Sequence, residues 1–287
     1  MDLTWLAGLA KDFGGRGDLS VSKSPSGAVI VCAGPVVVKV HHPRTDPTML
    51  KARLRAVADV RLAEVLAPPV STAVHPTPDG RLVTVWPRME VLHPTTHKPP
   101  WAAAGTLLAR LHHVDHEQIV TLPAQRPVAR LQRALHRVPS SAPAAPLLLR
   151  VGAAVVAEAT RASTGRRLVH GDWHLGQLGR RTGQPWRLLD VDDIGVGDPA
   201  WDLARPAGFC AAGVLSDSEW DAFLTAYRDS GGPAVPPDGD VWPRLDLPAR
   251  AAVVAAACRA IVHPEADEQD ITEALLEACR RMSGWPP

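Results

Sequence analysis

The chain has 287 residues, with 31 Lys and Arg against 30 Asp and Glu and a formal net charge of +1. That balance implies no polyelectrolyte partner such as nucleic acid, and no stretch approaches the ~20 apolar residues a membrane span needs. The length suffices for one large or two small domains with a substantial core.

Met1 to Lys11 has an early acid, no basic leading segment and an apolar run too short for export, so a cytoplasmic location is expected. Strand-like runs follow at 28–32, 36–41 and 81–86 around one helix expected over 47–66. In the second run Lys39 stands among valines, whose β-branched side chains favour a strand. Two readings of Lys39 are open: a compact ammonium that reaches phosphate as a point charge, or an edge-strand lysine that blocks edge pairing. Between strands, Ser22-Lys23-Ser24-Pro25-Ser26-Gly27 is a weak candidate for a phosphate-binding loop, with a single glycine. Within 48–66 of the helix that follows, Asp59 and Glu64 are the acids that could pair with Lys39, unless the lysine is held otherwise.

From Pro100 onward the pattern turns helical, with apolar residues at i, i+3, i+4 and i+7 along Trp101 to His112 and alanine-rich runs at 147–160 and 249–262. The charges of Arg126 to Arg137 are spaced along a helix and read as a solvated face. Cys32, Cys210, Cys258 and Cys279 are scattered without a CxxC pair. They read as small buried hydrophobes in a reducing compartment, not as zinc ligands.

Two apolar runs then end in acids. Leu168-Val169-His170-Gly171-Asp172 leads into Trp173-His174-Leu175-Gly176-Gln177, and Leu188-Leu189-Asp190-Val191-Asp192-Asp193 follows. Strands are expected at 168–169 and 186–189 with a turn at 180–185, which would bring Asp172, Gln177 and Asp190 near one point. Two carboxylates and an amide oxygen suit Mg²⁺, a hard cation that shares its positions with substrate phosphates. Phosphoryl transfer needs a carboxylate to orient the attacking hydroxyl, metal ligands and a cation on the nucleotide. The acidic loops supply the first two, which favours Lys39 as the third.

His-Gly-Asp, an amide five residues after that Asp, an apolar strand ending in Asp190, and Gly197-Asp198-Pro199-Ala200-Trp201-Asp202-Leu203-Ala204 together resemble the aminoglycoside phosphotransferase and choline kinase-like superfamily. Gln177 stands where that family usually has Asn, and His-Leu-Gly-Gln at 174–177 resembles bacterial maltokinases. The resemblance implies an α+β, two-lobed, protein-kinase-like fold. A small β-rich lobe with one helix would span 1–88, and a larger, mainly helical lobe 89–287. It implies Asp172 as the base on the acceptor hydroxyl, Asp190 and Gln177 as Mg²⁺ ligands with Asp192 assisting, and Lys39 on the phosphates of ATP or GTP. Trp86, Arg88, Met89 and Glu90 would form the connector that holds the nucleotide base through its backbone. His170 would brace the catalytic loop and Asp202 would fix it from beneath.

The acceptor so implied is a hydroxyl of a sugar, an amino sugar or an aminoglycoside-type antibiotic. Glu265, Asp267, Glu268, Asp270, Glu273 and Glu277 would suit a polycationic acceptor, or else form the charged face and first turn of the last helix. The alternative function is a catalytically idle nucleotide-binding protein on the same fold, suggested by the missing glycine-rich loop, the missing helix glutamate and Gln177. A protein kinase ranks last, since no Arg precedes Asp172 and neither Asp-Phe-Gly nor Ala-Pro-Glu is present.

Overall fold

In a β-strand successive side chains point to opposite faces, and three valine-rich strands use this to separate core from cleft. The computed structural model describes all residues except 24–26, 93–97, 116, 118, 120, 162–164, 265–268 and 285–287. The chain divides into two compact units, the first made of residues 1–99, 114–123 and 176–194.

In that unit α1 (Leu3–Asp12) begins on Asp2, whose carboxylate accepts the backbone N–H groups of Thr4 and Trp5. This satisfies donors that an uncapped helix leaves orphaned. Strands β1 (Leu19–Lys23), β2 (Val29–Ala33), β3 (Val36–Val40), β4 (Ser71–Pro76) and β5 (Leu82–Pro87) form an antiparallel sheet in the order β1-β2-β3-β5-β4. Val29, Val31, Val36, Val38, Val40, Val83 and Val85 form one face and bury Leu6, Leu9 and Ala10 of α1 against it. Ile30, Cys32, Val37, Lys39, Thr84 and Trp86 alternate with them on the other face. Lys39 therefore lies on an interior strand, not on an edge.

Helix α2 (Pro47–Val57) is capped by Asp46 and opens with Pro47, whose fixed φ and absent N–H suit a first helical position. It ends nine residues earlier than the sequence suggests. Asp59 accepts the N–H of Arg61 and starts a separate 3-10 turn, Val60–Leu62, and Leu66 leaves to bridge Leu188. A second sheet, β6 (Glu90–Val91), β8 (Leu178–Arg180) and β9 (Arg187–Leu188), completes the unit in the order β6-β8-β9.

The expected hairpin needs correction. The turn near 180–185 forms, with Gly183 at φ 74°, but the strand entering it is β8. Strand β7 (Arg167–Val169) pairs instead with β10 (Gly195–Gly197), Val169 opposite Gly195. Gly179 makes β8 workable and hard to read. A side chain there would meet Leu189 at 2.6 Å, so the strand needs a residue of low strand propensity.

The second unit holds residues 100–113, 124–175 and 195–287. Its described helices are α3 (Trp101–His113), α4 (Pro127–Arg137), α5 (Ala145–Arg161), α6 (Ala204–Ala211), α7 (Asp217–Asp229), α8 (Trp242–Val262) and α9 (Gln269–Ser283). Leu148, Val151, Val155, Val254, Ala257 and Leu275 form the centre of a core shared by α5, α8 and α9. Helices α3 and α7 approach so closely that a Cβ on Gly105 would sit 2.2 Å from the Phe223 carbonyl oxygen. The α3–α7 interface also carries Trp101 and Trp220, each in ring contact with Phe223, and Trp173, stacked on Phe223 and edge-on to Trp101.

Among the described residues no helix is long and apolar enough to cross a membrane.

Candidate active site

In the first unit, the sheet face opposite α1 forms one wall of a cavity of about 460 Å³. Lys39, Trp86, Arg88 and Met89 line it, and the 176–191 segment adds Gln177 and Asp190. The Lys39 ammonium donates to Asp190 at 2.6 Å and lies 2.9 Å from Asp192. Burial alone would depress the ammonium, but Asp192 and Asp190 outweigh it and raise Lys39 above its ordinary value. Asp192 is likewise penalised by burial, yet Lys39 and a hydrogen bond from His41 hold it well below the usual carboxylate range.

Neither sequence candidate for the partner of Lys39 takes that role. Asp59 is committed to the Arg61 guanidinium at 2.8 Å, and Glu64 is exposed. Helix α2 contributes differently, through Arg53 Nε, which donates to the Ile194 carbonyl at the end of the acidic loop. Asp190 has φ 55°, a left-handed conformation that Asp tolerates better than most residues.

Two carboxylates and one amide oxygen are the donor types a hard divalent cation takes. Asp192 Oδ1 is buried without a hydrogen-bond partner, and Gln177 lines the same cavity as Asp190. These residues therefore fit Mg²⁺. Among the described residues no three His, Cys, Asp or Glu side chains form a metal cluster.

Behind the carboxylates runs a buried polar relay. Trp86 Nε1 donates to Thr84 Oγ1 at 2.7 Å, Thr84 Oγ1 lies 2.8 Å from His41 Nε2, and His41 Nδ1 lies 3.3 Å from Asp192 Oδ2. The pattern is self-consistent when His41 carries its proton on Nδ1, facing the carboxylate, and Thr84 donates to Nε2. Of the four connector residues, the Glu90 side chain turns away. It bonds the Thr182 hydroxyl and sits 3.6 Å from Arg180. The loop 22–27 joins β1 to β2, and its Ser24, Pro25 and Ser26 lie outside the described residues.

The second unit carries Asp172. Its loop leaves β7 through Gly171, at φ 85°, and is clamped by Asp202, which accepts the backbone N–H of His170 at 2.6 Å and of Gly171 at 2.8 Å. Asp202 is 2 % exposed, and a buried carboxylate needs such partners. His112 Nε2 lies 3.0 Å from it, while His112 Nδ1 faces the Tyr227 hydroxyl at 2.8 Å. Burial opposes ionisation of Asp202, but His112 and the Gly171 N–H hold it below its ordinary value. His170 is itself buried, at 1 % exposure.

A cavity of about 100 Å³ opens beside Asp172, lined by Arg130, Trp173, Trp201, Arg205 and the Pro248 to Ala255 stretch of α8. Arg130 Nη1 donates to Asp172 at 2.8 Å and to the Gly171 carbonyl at 2.6 Å. This corrects the reading of 126–137 as purely solvated. Arg130 sits next to Leu131, which with Leu135 is buried, so its flank of the helix turns inward. That adjacency was the signal available in the sequence. Arg205 carries none, standing just after the family motif that ends at Ala204.

The acids near the chain end take the bland role where they are described. Glu273 and Glu277 hold Arg280 at 2.8 and 3.1 Å, and Asp270 is in the first turn of α9. Glu265, Asp267 and Glu268 lie outside the described residues. Cys258 and Cys279 are buried free thiols, as expected. Burial pushes them up to about 12 and about 11.

Among solved structures, a choline kinase from Streptococcus pneumoniae matches with a TM-score of 0.66 over 98% of each chain at 12% identity. A choline/ethanolamine kinase family protein from Mesorhizobium loti matches at 0.63 over 95% of this chain and 90% of its own, with 15% identity. A macrolide 2'-phosphotransferase from Brachybacterium faecium matches at 0.54, covering 95% and 97% at 20% identity. These are likenesses of fold. Among curated proteins none matches. The family model described as the phosphotransferase enzyme family matches residues 28–248, more than three quarters of the chain, and the protein with its protein-kinase-like fold belongs to that family.

Proposed function

We propose that the protein moves the γ-phosphoryl group of ATP to a hydroxyl of a small molecule, with Mg²⁺. The observation that carries this reading is the Lys39 ammonium, held 2.6 and 2.9 Å from the carboxylates of Asp190 and Asp192 in a cavity large enough for a nucleotide. It also weakens the idle alternative, because the lysine has carboxylate partners although α2 lacks a glutamate.

In this reading the backbone of Trp86, Arg88, Met89 and Glu90 holds the base, and Ile30, Ala67 and Leu189 supply apolar contact. Lys39 binds the phosphates as a point charge. Asp190, Gln177 and Asp192 hold Mg²⁺, which when bound neutralises phosphate charge and keeps the chain of phosphates in line. Asp172 accepts a hydrogen bond from the acceptor hydroxyl and takes its proton as the new oxygen–phosphorus bond forms and the bond from the γ-phosphorus to the bridging oxygen breaks, releasing ADP. His170 and Asp202 position that carboxylate. Hygromycin B and AMP-PNP occur together in a solved phosphotransferase of the same fold, which supports a nucleotide and a hydroxyl-rich acceptor as a pair.

The test is ADP release from ATP and Mg²⁺ across a panel of sugars, amino sugars, aminoglycosides and sugar acids. Acceptor-dependent release that Asp172→Ala abolishes is expected. Release unaffected by Asp172→Ala would remove the assignment of the base.

A further inference from the structure

The acceptor-side cavity contains a positive charge that the protein does not match. Asp172, the cavity's own acid, is already ion-paired with Arg130 at 2.8 Å. Arg205, in the first turn of α6, lines the same cavity and is partly buried. Among the described residues its guanidinium makes no hydrogen bond and no salt bridge, and its nitrogens are open to the solvent in the cavity. Burial pulls Arg205 below its ordinary value; Asp172 opposes that, while Arg259 and Arg130 reinforce it. The group stays protonated at any physiological pH. The charged lining is thus two cations against one anion, and the remaining wall is Trp173, Trp201 and small or apolar residues of α4, α6 and α8.

We propose that the acceptor carries an anionic group, a carboxylate or a phosphate, close to the hydroxyl offered to Asp172, and that Arg205 is the residue that selects it. A planar guanidinium presents paired N–H donors that match two anionic oxygens, and it discriminates charge as well as shape. The cavity, about 100 Å³, has room for such a head group. A polycationic acceptor would bring like charge against Arg205, which penalises it regardless of its other contacts. The proposal rests on the reading of Asp172 as the acceptor-side base.

Binding is measured on the full chain saturated with ADP and Mg²⁺, so that the other cavity is filled. The probes are glucuronate, inorganic phosphate, glucose and kanamycin, with chloride at matched ionic strength as control. Quenching of tryptophan fluorescence serves as readout, because Trp173 and Trp201 line the cavity. Glucuronate and phosphate should bind, and Arg205→Met, which keeps the apolar stem, should weaken both by about tenfold or more. Arg205→Lys should recover part of that loss, and glucose affinity should be the same in all three proteins. Equal anion binding in wild type and Arg205→Met overturns the proposal, as does the absence of anion binding, or kanamycin binding more tightly than glucuronate. The two readings fail separately. If Asp172→Asn retains Arg205-dependent anion binding but ADP release proves independent of Asp172, the assignment of the base falls and the anion site stands.

Discussion

His41 and Asp192 form a strut between the sheet and the acidic loop. The ring, fully buried, sets one nitrogen 3.3 Å from the carboxylate and the other 2.8 Å from the Thr84 hydroxyl. Replacing the imidazole with an apolar side chain of similar volume removes one partner from each: the Thr84 hydroxyl keeps only Trp86 Nε1 and Asp192 Oδ2 keeps only the Lys39 ammonium. His41→Leu should lower stability by about 2 kcal/mol and raise the KM for nucleotide more than it lowers kcat. Denaturant unfolding and steady-state kinetics on the same preparation check both parts.

Asp202 predicts a pH dependence with a definite sign. Its carboxyl is held below its ordinary value in the folded protein, so its contribution is complete above the unfolded value near 3.8 and fades as pH falls through the lower folded value. Asp202→Asn should cost about 3 kcal/mol at neutral pH. Melting temperatures of wild type and variant should converge as the pH drops below about 4. A gap that stays constant down to strongly acid pH would show that geometry, not charge, carries the clamp.

Lys39 has the opposite sign. Asp192 and Asp190 raise it above its ordinary value, so its contribution is whole below the unfolded value of 10.5 and is lost only as pH rises past the higher folded one. Lys39→Met should abolish nucleotide binding measured by calorimetry. It should also leave Asp190 and Asp192 repelling each other, so that the variant, unlike wild type, gains stability when Mg²⁺ alone is added.

Thiol chemistry reads out the cavity proposed for the nucleotide independently of turnover. Cys32 lines that cavity, whereas Cys258 and Cys279 are buried and held protonated. In the native protein a thiol-specific reagent should modify Cys32 and Cys210 and spare the other two. ATP with Mg²⁺ should slow the modification of Cys32 alone, as mass spectrometry of the labelled protein would record.

What the sequence discloses here follows the range of its signals. Strand alternation is local, and it sets Val36, Val38 and Val40 on the face opposite Lys39. Acids at the ends of apolar runs are local too, and they pick out Asp172 and Asp190. Pairings across long separations leave no such trace. Lys39 and Asp190 stand 151 positions apart, so nothing local to the lysine points to its partner. Arg130 and Asp172 are separated by 42 positions, and the arginine's helix reads as exposed because its charges are spaced along its length. Strand β8 escaped because three residues including a glycine carry almost no propensity; packing against Leu189, not local preference, makes it a strand.

The ladder between β7 and β10 gives the segment it encloses an unusual freedom. Val169 pairs with Gly195, so the chain leaves and returns at the same place, and residues 170–194 form a loop whose two ends are stapled together. At its tip the exposed turn 181–185 joins two strands that are each held by neighbours, β8 between β6 and β9, and β9 by β8 and Leu66. A break in that turn would leave both new ends anchored. The turn is therefore a natural place to cut and rejoin the gene: new termini or an inserted reporter domain at Thr182 and Gly183 should be tolerated, while the stapled ends at 169 and 195 should not admit even a one-residue shift of register.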